Sequence, residues 1–290
     1  MSILFDRAKS WLQYPLPHHF LSRFVHFITR LKAGLLSQIA IRLFVKIFKV
    51  KLEESERKHP TDYESFNDFF TRSLSPGARP VDASRGSVAS PVDGTISQVG
   101  AIKDGQVFQA KGHTYSVSTL LGGEDELAST FHNGSFVTIY LAPHNYHRIH
   151  APLDMQLRSM LYVPGRLFSV NSATVHTVPN LFARNERVAG FFSADAGNVA
   201  IVLVGALFVG SIETIWAGEI TPPQRSCTRH VYYNEDASFL FAKGSELGRF
   251  NMGSTVILLF QEDRVTFMKS LRPETLVRLG KKIAKVNHIE

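Results

Sequence analysis

From Ser87 onward the chain is written in short runs of alternating Val, Ile, Phe and Thr, closed by Gly, Pro or Asn: PVDGTISQVG, GQVFQAKG, GSFVTIYLAP, VAIVLVGALFVGSIETIWAG and STVILLF. Runs of this kind suit a pleated, buried surface, and the turn residues between them allow only short connections. The beginning of the chain follows a different period. Across 34–50, Leu35, Leu36, Ile39, Ala40, Leu43, Phe44, Ile47 and Phe48 recur at helical spacing, with Ser37, Gln38, Arg42, Lys46 and Lys49 opposite. Upstream, 19–30 carries Phe20, Leu21, Phe24, Val25, Phe27 and Ile28 between Arg23 and Arg30. The predicted fold class is α+β: N-terminal amphipathic helices followed by a predominantly antiparallel β core. Three stretches are expected: a basic helical region over 1–58, a connector over 59–86 and a β-rich catalytic domain over 87–290. In the connector, Thr61 or Asp62 is the expected cap of one short helix anchored by Phe66, Phe69 and Phe70, before SPGARP breaks the chain.

Charge divides the chain at the same place. Residues 1–58 hold 11 Lys and Arg against 4 Asp and Glu, whereas 59–290 hold 21 of each sign, so the formal net charge of +7 lies wholly in the first fifth. A basic helix with Phe and Leu on its other face suits an anionic membrane surface, where each cation contributes on the order of 1 kcal/mol. The same pattern also describes an ordinary docking helix with a solvated basic face. Nucleic acid is not an expected partner, because the basic segment carries no readable motif and the body is neutral. The single cysteine, Cys227, excludes an intramolecular disulfide and a Cys-rich zinc site, and points to a reducing compartment. Met1–Ser10 does not read as a cleavable signal, and no run of 18 uncharged apolar residues predicts a membrane-spanning helix.

Three features carry chemistry. Asp93 lies in PVDG, which is equally a turn sequence. His144, His147 and His150 fall within LAPHNYHRIHAP; they read as a zinc site or as acid–base groups, and their three-residue spacing matches no common zinc motif. Gly253–Ser254–Thr255 opens the last apolar run and is, alone, ordinary turn chemistry. The order Asp…His…Ser admits a nucleophilic serine hydrolase, although no G-x-S-x-G elbow is present. A non-catalytic lipid-binding β module is the third reading.

Taken together, FNDFFTR with its downstream RP, PVDGTISQVG, QAKGHTYS, YHRIHAP, YVPGRLFSVN, PNLFARNERV, VGSIETIWAGEITPP and ELGRFNMGSTVILLF resemble the bacterial, pyruvoyl-dependent phosphatidylserine decarboxylase family across nearly the whole chain. Met252 stands where that family usually carries Leu, an apolar exchange of similar volume. The resemblance implies a carboxy-lyase that converts phosphatidylserine to phosphatidylethanolamine and CO2 through a Schiff base. Its cofactor would be a pyruvoyl group made from Ser254, with neither metal nor pyridoxal phosphate. Asp93, His150 and Ser254 would form the triad for self-cleavage at Gly253–Ser254, giving a β chain 1–253 and an α chain 254–290 held together as a heterodimer. A dimer of such heterodimers is compatible with this scheme. His147 is assigned as proton donor in decarboxylation, His144 as a surface histidine, and Phe168, Ser169 and Asn171 as part of the head-group pocket. A diacyl substrate stays in the bilayer, so the resemblance places the protein peripherally on the cytoplasmic face of the inner membrane, on a basic foot formed by 1–58. On that view, deleting 1–50 weakens liposome binding and leaves self-cleavage intact.

Overall fold

The computed structural model describes residues 10–208, 211–222, 227–233, 239–251 and 254–287. Helices α1 (His18–Arg30) and α2 (Leu35–Phe48) occur where the helical period predicts them. Their orientation is inverted relative to an ordinary docking helix. The buried side chains are His18, Ser22 and Thr29 on α1, and Ser37 and Ile41 on α2. Phe20 is 66% exposed, Phe27 64%, Leu35 65% and Leu36 71%. Two of the inward hydroxyls are bonded to backbone: Thr29 Oγ1 donates to the Val25 carbonyl in its own helix at 2.8 Å, and Ser37 Oγ to that of Leu31 at the end of α1 at 3.2 Å. The docking-helix reading holds for α2 in part, since Ile41 is fully buried and Phe44 and Val45 pack inward, while most of the apolar side chains of both helices stay exposed.

The foot is attached at two places. Around α1 the contacts are polar: Leu167 N–H donates to His18 Nδ1 at 3.2 Å, and His18 Nε2–H donates to the Gln13 carbonyl at 2.7 Å. Helix α2 docks through a separate aromatic cluster of Ile41, Val50, Leu52, Tyr63, Phe69 and Phe70, with Phe44 and Phe66 against it. Phe44 meets Phe66 and Phe69 edge-on at 5.1 and 5.9 Å, the arrangement ring quadrupoles favour. Phe66 to Phe70 form the short helix α3 of the connector, capped by Ser65, whose Oγ accepts the Asp68 N–H at 3.2 Å. The expected caps lie earlier, in a 3-10 turn over Pro60–Asp62, where Asp62 accepts the His59 N–H at 2.9 Å. Extended, buried Tyr63 separates that turn from α3.

The main sheet has nine strands, all paired antiparallel. Six form its centre: β1 (Gly94–Ala101), β2 (Ser135–Tyr140), β3 (Met155–Val163), β4 (Arg187–Ala194), β5 (Gly197–Val204) and β6 (Thr255–Phe260), in the spatial order β3-β4-β5-β6-β2-β1. β6 is bonded along its whole length on both edges, Thr255 opposite Val204 and Tyr140, Phe260 opposite Val199 and Ser135. It is buried on both faces, which explains an unbroken apolar run in place of alternation. Val256 to Phe260 have zero exposure, and each such side chain contributes roughly 1.5–3 kcal/mol. A four-stranded sheet joins Gly218–Glu219, Ile212–Thr214, Glu246–Phe250 and Arg148–His150 in that order. The chain passes from this small sheet into β6 within a few residues of Phe250.

Candidate active site

Thr95, Tyr140 and Thr255 lie in one row across β1, β2 and β6. Asp93 precedes Thr95 by two residues, Ser254 immediately precedes Thr255, and the histidine segment follows Tyr140. The topology thus carries all three to one end of the sheet, with β1 and β6 two strand spacings, about 10 Å, apart. Gly94 permits this approach, since a Cβ there would lie 2.5 Å from the Tyr140 carbonyl oxygen. His150 N–H donates to the Pro91 carbonyl at 2.9 Å, and Phe250 N–H to that of His147 at 3.0 Å. These bonds tie the histidines to the Asp93 segment on one side and to the chain entering β6 on the other.

Ser254 is fully buried, its carbonyl accepts the Leu141 N–H at 2.9 Å, and its Oγ has no hydrogen-bond partner. Gly253, the other half of the expected scissile bond, lies outside the described residues with Met252. His150 Nδ1–H donates to the Gly244 carbonyl at 2.8 Å, and the Tyr146 hydroxyl donates to Nε2 at 3.2 Å, a tautomer assigned from these partners. Burial lowers the His150 pKa against the opposing pull of the Gly244 carbonyl. The ring is therefore neutral at pH 7 with its lone pair on Nε2, the form a general base needs. Burial also pushes Tyr146 up to about 12, so its hydroxyl remains a donor.

No hydrogen bond joins Asp93 to His150. Asp93 Oδ1 accepts Arg79 Nε–H and Leu279 N–H, both at 2.9 Å, and Oδ2 accepts Arg79 Nη2–H at 2.6 Å. Arg79 also reaches Glu54 at 2.7 Å. The arrangement differs from the expected triad because a guanidinium fork matches a carboxylate better than an imidazole does, leaving the Gly244 carbonyl to fix the ring. The charge of Asp93 still favours a protonated His150 through space.

His147 is fully buried, stacks on Phe70 at 4.2 Å between ring centroids, and has the backbone of Pro143 and Ala142 as its polar neighbours. Burial, then the charge of Arg72, pushes its pKa down to about 3. Arg72 Nη2 donates to the carbonyls of His144 and Asn145 at 3.3 and 3.4 Å, clamping the loop that carries His147. His144 is exposed. Among the described residues no three His, Cys, Asp or Glu side chains gather as a metal site requires.

An apolar groove of about 240 Å³ separates α2 from this centre, lined in part by Phe44, Phe48, Phe70, Leu141 and Ser169. Of the three expected pocket residues, Ser169 borders it. Phe168 is instead buried against Tyr14 and His18, at 4.9 and 5.0 Å between centroids. Asn171 caps the helix Ser172–Thr177, its Oδ1 accepting the Thr174 N–H at 3.1 Å. Sequence reasoning missed Arg79, Tyr146 and Gly244. Tyr146 had a signal in its four-residue spacing from His150, but the Gly244–His150 contact spans 94 residues and leaves none.

His150, His147 and Ser254 thus belong to segments that meet at one end of the main sheet, although among the described residues no hydrogen bond joins either histidine to the Ser254 hydroxyl. A family model described as phosphatidylserine decarboxylase matches residues 66–285, and another described as PSD matches 8–49. The chain is similar to curated proteins named phosphatidylserine decarboxylase proenzyme. That of Pseudoalteromonas translucida is 50% identical over 285 residues, covering 97% of this chain and 99% of the relative. The relative from Shewanella sp. strain ANA-3 is 50% identical over 287 residues, covering 98% of each. The one from Nitrosococcus oceani is 49% identical over 284 residues, covering 97% and 93%. The matched span contains Asp93, His147, His150 and Ser254 and the strands that gather them, and the chain belongs to the phosphatidylserine decarboxylase family.

Proposed function

We propose that this protein decarboxylates phosphatidylserine to phosphatidylethanolamine, using a pyruvoyl group it makes from Ser254 by cutting itself at Gly253–Ser254. The observation that carries the reading is the place of Ser254, fully buried at the head of a strand locked on both edges, its hydroxyl without a partner among the described residues.

His150 Nε2 takes the Ser254 hydroxyl proton, and Oγ attacks the Gly253 carbonyl carbon. The peptide C–N bond breaks, the freed amine takes up a proton, and an ester joins the two residues. Loss of the α-proton of residue 254 expels the Gly253 carboxylate and leaves a dehydroalanine. Water then displaces its nitrogen as ammonia, leaving the keto group at the start of an α chain 254–290. Asp93, held by the Arg79 fork, stabilises through space the imidazolium formed on the way.

The residues present suit such a group, because position 254 is fully buried and its carbonyl is held by Leu141, at the start of the loop that carries the buried His147. When formed, it supplies the electron sink for the pair left behind as CO2 departs. His147 meets the substrate uncharged; a carboxylate brought beside it raises its proton affinity, and it then holds the proton destined for the α-carbon. The groove at Phe44, Phe48, Phe70 and Ser169 receives the lipid behind the head group. The exposed faces of α1 and α2 rest on an anionic membrane surface, and the protein sits peripherally on the cytoplasmic face of the inner membrane. The β chain 1–253 and the α chain remain one heterodimer, joined through β6.

Intact mass under denaturing conditions tests the reading. Two species are expected, split between residues 253 and 254, with the smaller lighter than a serine N-terminus requires. A single 32.4 kDa chain from an active preparation would refute it. The His147→Ala protein should cut itself normally and lose decarboxylation; normal turnover would remove His147 from the chemistry.

A further inference from the structure

The proposed cut falls between two anchored points. On the far side, the Ser254 carbonyl accepts the Leu141 N–H at 2.9 Å and Thr255 enters β6. On the near side, Asn251 is 1% exposed and continues the small sheet beyond Phe250, its N–H donating to the Ser211 carbonyl at 2.9 Å. Its amide is committed at both ends: Nδ2 donates to Ser211 Oγ, and Oδ1 accepts from Asn67 Nδ2 at 3.2 Å. Two residues span the interval. The carbonyl that Ser254 would attack belongs to the second of them, and Asn251 is the last described residue on the chain leading to it.

Ser211 is also joined to the foot. Its Oγ accepts Arg30 Nη2–H at 3.4 Å, and Glu219 Oε1 receives Arg30 at 2.6 Å and His26 at 2.9 Å. Burial alone would raise the Glu219 pKa, but Ser211, His26 and Arg30 outweigh it and hold the carboxyl below its ordinary value. Both donors lie on α1, whose other face exposes Phe20, Phe24 and Phe27. An unbroken polar line thus runs from the foot helix, through Glu219 and Ser211, to the residue two places before the scissile bond.

We infer that Asn251 and Ser211 are positioning residues for self-cleavage, and that their seat is set from α1 through Arg30. This rests on the self-cleavage reading above. An attacking oxygen and its carbonyl must meet within a narrow geometry, and small misplacements cost on the order of 100-fold in rate. The inner bonds, which no solvent reaches, should matter most and the partly exposed outer pair least.

The test follows the rate of chain cutting in newly synthesised full-length protein, beside thermal unfolding of the same samples. Asn251→Ala and Ser211→Ala should slow cutting by roughly 10- to 100-fold, Ser211→Thr should restore it by keeping the hydroxyl, and Arg30→Gln should slow it several-fold at unchanged Tm. Should Ser211→Ala fail to fold, Arg30→Gln and Ser211→Thr still decide the matter, since neither removes a buried group. Wild-type rates in the folded alanine variants, or in Arg30→Gln, would overturn the inference. Equal slowing in Ser211→Thr and Ser211→Ala would do the same. If the wild-type chain itself never cuts, the self-cleavage reading is what has failed.

Discussion

In β6 the side chains of Val256 to Phe260 have no exposure, while on α1 and α2 most Phe, Leu and Ile side chains, Ile41 and Phe44 apart, face outward and Ser22, Thr29 and Ser37 face in. Both regions are amphipathic or apolar by sequence, and both obey the same driving force. They differ in when it is satisfied. The core removes its apolar surface from water on folding, whereas the two helices leave much of theirs exposed, which is what the proposed membrane contact would cover. Exposed apolar area on this scale is unusual for a chain that acts alone in water. A helical period shows that one face is apolar but not which side the body occupies. Here the body takes His18, Ser22 and Thr29 of α1 and Ser37 and Ile41 of α2, with Thr29 bonded within its helix and Ser37 to Leu31 at the end of α1.

The contrast can be broken at several points. Ser254→Ala has the largest effect: it should abolish both cutting and turnover, seen as one uncut chain by mass, with β6 still folded. Arg79→Met comes next. It strands Asp93 beside Glu54 in a site where the Arg79 and Asp93 side chains are each 8% exposed, and should cost about 3–5 kcal/mol in urea unfolding. Loss of less than about 1 kcal/mol would mean that Asp93 finds another partner, His150 included.

A matched pair sharpens the comparison directly. Leu258→Ala in β6 should destabilise by about 2–5 kcal/mol, and Leu36→Ala, 71% exposed on α2, should stay within about 0.5 kcal/mol. Equal costs would erase the distinction between the two regions. Replacing Phe20, Phe24 and Phe27 by Ser should leave Tm unchanged but weaken partition onto anionic vesicles. Each Phe is worth roughly 1.5–3 kcal/mol when buried, or about tenfold or more in binding. Unchanged vesicle binding would exclude the foot from membrane contact.

The smallest effect is a pH slope. His147 and His150 are buried with lowered pKa values, that of His147 down to about 3. Below the unfolded value near 6.5 the unfolded chain binds protons that the native protein refuses. Stability is therefore full above that pH and declines as pH falls toward the folded values, by on the order of 1 kcal/mol per pH unit for each ring. His147→Phe should flatten the slope between pH 6.5 and 4; an unchanged slope would mean the ring is protonated in the native state.

Much of this was legible beforehand where the signal is local. The β runs, both helical stretches and the Asp93, His150 and Ser254 positions follow from period and motif. The missing parts are long-range. The Arg79 fork on Asp93 and the Gly244 carbonyl on His150 depend on sheet register, which no short window contains. The three-residue pocket assignment thinned to Ser169 because Phe168 and Asn171 are occupied by packing and capping. The foot also looked separable from self-cleavage in the sequence, since nothing in SRFVHFITR announces that Arg30 will reach Ser211.

The double-edged pairing of β6 has a consequence for the protein's lifetime. A coenzyme held by reversible binding can be lost, replaced or recycled, so a damaged one is an inconvenience. Here the reactive group would be the first residue of a strand stitched to β2 on one side and β5 on the other along its full length. It can be neither reloaded nor exchanged between molecules. Every chemical injury to it retires the whole chain, and the cell's capacity for this reaction is then replenished only by new synthesis.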